Sequence, residues 1–206
     1  MRVTDLISTA FRIATTSDST RYSKWIDISH KLARDAGTTH IVMLQRVGSL
    51  DMLLRLLETE RREMLKDQHQ TQFDMSLDLQ LAWSESWIFS AYEVLRSAKQ
   101  RLIDKSASEA SRLLTIEHRL ALVRIPLAKG EIKDMDKKAN KANPPMLQVE
   151  NGDIPEPYKN DGSYILPRGI CPSTGAVMWL PADMKTRKTV PICRRDLSDE
   201  ILSLFD

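Results

Sequence analysis

The chain has 206 residues, 42% of them hydrophobic and 28% charged, with a formal net charge of +2. This balance excludes a wholly disordered chain, and the length suits one well-buried core with an appendage or two small domains. Seven glycines are too few for a many-stranded sandwich or barrel, so long helices are favoured.

Taken in chain order, Leu6, Ile7, Ala10, Phe11 and Ala14 stand at helical spacing and predict a short amphipathic helix. It gives way at "TTSDST", a loop or helix cap. From Arg21 to Ala36, Trp25, Ile28, Leu32 and Ala36 recur every three or four residues, and Gly37 offers a stop. Residues 39 to 66 read as one long helix or as two, interrupted at "GSLD". The polar spacer "DQHQTQFDMS" suits a connection between antiparallel helices.

The strongest helical signal runs from Leu77 to Leu102, through Trp87, Ile88, Ala91, Val94, Leu95 and Ala98. In the same segment Trp83 and Trp87 are spaced to stack, and Glu93 and Arg96 to pair. After "DKSASEAS", where Ser106 or Ser108 is a candidate cap, Leu113, Ile116, Leu120, Val123 and Leu127 form another stripe. Pro126 lacks an amide proton and clashes with the preceding turn, so this helix is expected to end or kink near Arg124.

Beyond Gly130 the composition turns polar and rich in turn residues, which reads as a linker or long loop over 131 to 162. "SYILPRGICPSTGAVMWLP" then predicts two short strands, Tyr164 to Cys171 and Ala176 to Leu180, with "RKTVPIC" as a third. Arg194 to Asp206 reads as a closing helix with Asp196 as its N-cap. The expected fold is therefore mainly α. It comprises a bundle of four to five helices over 1 to 130, a linker over 131 to 162, and a small antiparallel β appendage with a terminal helix over 163 to 206.

No apolar run reaches the roughly 18 residues a bilayer span needs, and Asp5 and Arg12 interrupt the N-terminal segment. Neither a membrane span nor a signal peptide is expected. Cys171 and Cys193 are too few for a disulfide framework and lack the close Cys or His neighbours of a structural zinc site. His30, His40 and His69 lie in separate segments. The expectation is a cytoplasmic protein with reduced thiols and neither metal nor cofactor.

Charge is uneven along the chain: residues 96 to 141 carry +6 and residues 51 to 78 carry −3. The basic segment contains Arg112, His118 and Arg119. An imidazole exchanges protons near neutral pH and an arginine offers a permanent bidentate charge for phosphate, so the pair suits phosphoryl transfer. Cleavage of RNA through its 2′ hydroxyl needs a base, an acid and a cation. Six helical positions set Arg112 and His118 about 120° apart, so the two share no tight pocket unaided, and a second chain can complete such a site.

Arg112, five intervening residues and His118, late in a helical bundle, resemble the Arg and His motif of the higher eukaryotes and prokaryotes nucleotide-binding (HEPN) superfamily. Over roughly residues 20 to 130 the resemblance implies a small, often dimeric bundle. Many such proteins are metal-independent ribonucleases of toxin, antiviral or RNA-processing systems, with the motif at the dimer interface. Leu113 stands where active members commonly place a polar residue. On this reading Arg112 and His118 are catalytic, Glu93, Arg96 and Arg119 support them, and the partners are a second copy and RNA or a nucleotide. A non-catalytic interaction module, regulatory or antitoxin-like, remains the alternative. So does a nucleic-acid binder that uses the basic segment and "RKTVPICRR" without cleavage.

Overall fold

The computed structural model describes residues 2–66, 75–102, 107–147 and 155–205. Five helices build the bundle: α1 (Val3–Ser17), α2 (Ser19–Ala36), α3 (Thr39–Lys66), α4 (Ser76–Leu102) and α5 (Ala107–Lys129). α3 packs between α2 and α4, and α4 in turn packs on α5. No helix is long and apolar enough to cross a membrane among the described residues.

Local chemistry sets the helix ends. Asp18 accepts a hydrogen bond from the Arg21 amide at 2.9 Å and so separates α1 from α2. Gly37, at φ 105°, closes α2 by donating its amide to the Ala33 carbonyl at 2.9 Å. "GSLD" does not divide α3, which runs unbroken to Lys66. Gly48 sits against Trp25, where a Cβ would meet the indole at 2.6 Å. Its small size therefore serves packing rather than a turn.

Of the two expected effects of Pro126, an end or a kink, the end does not occur, since α5 runs on to Lys129. Proline removes a single amide from the ladder, and past it the Gly130 amide still reaches the Pro126 carbonyl at 2.8 Å. The expected Trp83–Trp87 stack is also absent, because Trp87 turns fully inward and donates to the Val47 carbonyl at 3.1 Å while Trp83 stays at the core edge. The proposed caps Ser106 and Ser108 and most of the "DQHQTQFDMS" spacer lie outside the described residues or side chains.

The region after α5 holds a short helix, α6 (Lys138–Ala142), and the paired strands β1 (Met146–Leu147) and β2 (Glu156–Pro157). It builds a second small core from Ile132, Met135, Tyr158 and Met184. Tyr158 stands edge-on to Tyr164 and accepts a hydrogen bond from the Ile132 amide at 3.2 Å.

Next come β3 (Arg168–Ile170), β4 (Val177–Trp179) and β7 (Ile192–Cys193), a three-stranded antiparallel sheet in the order β3-β4-β7. A separate hairpin, β5 (Ala182–Asp183) with β6 (Lys188–Thr189), projects from it. The predicted small sheet is thus present with shorter strands. α7 (Arg194–Leu202) follows β7 directly and is preceded by Cys193 as N-cap, so Asp196 lies in the first turn instead of capping it. Leu197, Ile201 and Leu202 of α7 and Val177 and Trp179 of β4 join the bundle core.

Candidate functional site

α5 presents the sequence-predicted residues to two different neighbours. Arg112 donates to the Ser203 carbonyl at 3.3 Å, and Arg119 pairs with Glu200, so both arginines face α7. Thr115 lines a groove with Arg112, Glu200 and Ser203. His118 points instead to the β5–β6 hairpin, where its Nε2 lies 3.5 Å from Asp183 Oδ1.

That imidazole is partly buried, and burial lowers its pKa below the ordinary 6.5. Lys133 and Lys185 push it the same way and outweigh Asp183 and Asp134. The contact with Asp183 is a proximity without hydrogen-bond geometry, since Nε2 has no hydrogen-bond partner among the described residues. The result is an imidazole whose Nε2 is enclosed and without a hydrogen-bond partner among the described residues.

Glu93 and Arg96 on α4 pair at 2.8 Å, as their spacing predicts. Glu93 also reaches Arg124 of α5 at 3.3 Å, and the Arg124 guanidinium lies 5.3 Å from the Tyr92 ring centroid. Within one chain, then, Arg112 with Arg119, His118, and Glu93 with Arg96 form three separate groups. Neither Asp104 nor the Glu109 side chain, the partners considered for Arg119, is among the described positions.

The densest polar cluster lies elsewhere. Asp51 and Glu58 of α3 are fully buried, and both grip the fully buried Arg194 at the start of α7. Arg194 Nη1 lies 2.6 Å from Asp51 Oδ1, and its guanidinium carbon is 5.3 Å from the Trp87 ring centroid. Arg195 binds Glu58 at 2.8 Å, and Arg55 binds Asp51 at 3.0 Å. Trp25 Nε1 donates to Asp51 at 3.0 Å, and Arg55 and Arg21 both extend to Asp199. Burial raises the Asp51 pKa, but Arg194 and Arg55 more than offset it and hold the group at about 2.

This cluster escaped the sequence reading, although one signal was there. Leu44, Val47, Asp51, Leu54 and Glu58 continue a single stripe at spacings of three and four, and all five are buried. Acids in an apolar stripe require counter-charges. "CRR", read as part of a basic surface, supplies them: Arg194 is enclosed and Arg195 is committed to Glu58.

Among the described residues no three His, Cys, Asp or Glu side chains gather to hold a metal ion. Comparison of the chain with protein-family models, with curated proteins and with solved structures returns no match.

Proposed function

We propose that this chain is a non-catalytic, self-associating helical module whose partner is a second copy bound through α1. The carrying observation is the outer face of α1, where Val3 is 70% exposed and Leu6, Ile7 and Ile13 are each close to half exposed. Only Ala14 of this helix is buried. Large exposed side chains at helical spacing mark an interaction face.

A two-fold axis sets one patch against the same patch on the partner, so an apolar stripe free of charge is complementary to itself. Asp5 and Arg12 stand about 140° from the centre of the stripe at 100° per residue and leave it uncharged. Burying the patch on both copies contributes on the order of 10 kcal/mol. Association costs about 4–15 kcal/mol, so a weak, reversible dimer is expected.

Light scattering after size exclusion, over a concentration series, tests this. The unmutated protein should shift from monomer to dimer, and Leu6→Glu with Ile13→Glu should remain monomeric at every concentration. An unmutated protein that stays monomeric throughout, or a doubly substituted one that dimerises equally well, sinks the proposal.

A second reading rests on His118. Burial and the charges of Lys133 and Lys185 disfavour the protonated ring, and the HEPN-like ribonuclease reading needs an unprotonated imidazole as general base, with its enclosed Nε2 uncovered for the substrate. On that reading a partner subunit supplies the arginine that His118 lacks in its own chain. Cleavage of labelled RNA in EDTA by the unmutated protein, lost in His118→Ala and Arg112→Ala, supports it. Equal or absent cleavage in all three removes it.

A further inference from the structure

The two cysteines stand in a pattern that function has not absorbed. Cys171, Thr174, Cys193 and Asp196 are spaced C-x2-T-x18-C-x2-D. Structural zinc sites commonly space four cysteines as C-x2-C, then about 15–20 residues, then C-x2-C. Here the first pair lies in the turn "CPSTG" between β3 and β4, and the second pair opens α7.

The turn is tightly built. The Cys171 carbonyl accepts from the Thr174 and Gly175 amides, at 3.3 and 2.8 Å, and its amide donates to Ala176 at 2.8 Å. Gly175 adopts φ 73° and lies so close to the Glu58 carbonyl that a Cβ has no room. Burial raises the Cys171 pKa, but the Ser173 and Thr174 hydroxyls and amides outweigh it and bring the thiol to about 7. The Cys193 thiol is pushed up by burial while the Arg195 and Asp196 amides act against that rise.

Three of the four positions converge. The Thr174 hydroxyl lies 3.8 Å from Cys193 Sγ and also reaches Cys171. Four sulfurs at about 2.3 Å from a zinc ion stand about 3.8 Å apart, the edge of the tetrahedron. Asp196, the fourth position, lies exposed in the first turn of α7.

We infer that residues 171 to 196 are built on a tetrahedral metal-thiolate framework in which Cys171 and Cys193 keep two ligand positions and Thr174 and Asp196 occupy the other two. The ligand class is a thiophilic divalent cation such as Zn2+ or Co2+. In the native chain the Thr174 hydroxyl joins the two sulfurs where the cation would sit, and two thiolates alone leave such an ion under-coordinated.

The test is completion of the site in the full chain. Thr174→Cys with Asp196→Cys should take up one Zn2+ per chain, measured by metal analysis after desalting. With Co2+ it should give the absorption bands of tetrahedral thiolate coordination, and its melting temperature should rise on metal addition. The unmutated chain under the same conditions should retain less than a tenth as much metal. Failure of the folded double variant to retain metal, or a Co2+ spectrum that is not tetrahedral, overturns the inference. If that variant is unfolded both with and without metal, Thr174→Cys alone decides: three thiolates should bind Co2+ measurably above the unmutated chain, and no gain overturns it.

Discussion

Arg194 carries a positive charge at zero exposure because Asp51 and Glu58 meet it from one helix and the Trp87 ring covers it from another. Arginine suits the place, since its planar fork serves two carboxylates at once. Removing one member of such a cluster leaves uncompensated buried charge, which costs about 3–5 kcal/mol. Arg194→Met should therefore lower the melting temperature by roughly 6–20 °C, at about 2–4 °C per kcal/mol for a chain of this size. A loss of only a degree or two in thermal or urea unfolding contradicts the clamp role.

The titrating residues predict two separate pH effects. Asp51 has a lowered pKa, so its contribution is complete above its ordinary 3.8 and is lost as pH falls through about 2. For His118 the folded pKa lies below the ordinary 6.5, so the unfolded chain takes up that proton first. Stability from this residue is then present above 6.5 and declines as pH drops below it. Urea melts between pH 7.5 and 5 should show the decline, and His118→Gln should flatten it. An unchanged pH profile in that variant removes His118 as its source.

At the scale of elements, small residues fix how closely the pieces approach. Gly48 lets the Trp25 indole lie on α3, and an added methyl meets ring and Cβ atoms at 2.6 to 2.9 Å. Overpacking of this kind costs about 1–3 kcal/mol. Ala is the better helix former by roughly 1 kcal/mol. Gly48→Ala should therefore destabilise by less than its steric clash alone, and Trp25→Phe in the same chain should reduce the loss. Stabilisation by Gly48→Ala in the unmutated background contradicts tight α2–α3 packing.

The same elements separate what periodicity reveals from what it hides. α2 and α4 were legible because their apolar stripes repeat every three to four residues and no other constraint competes. α3 and α5 were blurred by Gly48 and Pro126, residues whose local meaning is a break. Packing against Trp25 and a ladder that loses only a single amide override that meaning. Among the predicted site residues, the Glu93–Arg96 pair was legible because it is local to one helix. The contacts of Arg112, Arg119 and His118 were not, since their partners Ser203, Glu200 and Asp183 lie far along the chain.

For the molecule as a whole, the closing helix is part of the bundle rather than an ornament on it. Leu197, Ile201 and Leu202 enter the main core, and Arg194 neutralises carboxylates 136 and 143 residues earlier. A chain ending at Gly130 therefore exposes a core face and leaves Asp51 and Glu58 without Arg194. It should lose cooperative thermal unfolding while keeping helical circular dichroism. A sharp, native-like melt of that fragment would show that residues 1 to 130 fold independently.

The sequence by itself determined the helical bundle, the small antiparallel sheet and the terminal helix, because hydrophobic period and turn chemistry are properties of neighbouring residues. Only the tertiary structure decided where the charges go. Two acids inside an apolar stripe and two arginines near the end of the chain are each unremarkable alone. Burial strengthens their interaction and makes a missing partner costly, so the fold is stable when α7 delivers Arg194 and Arg195 to α3.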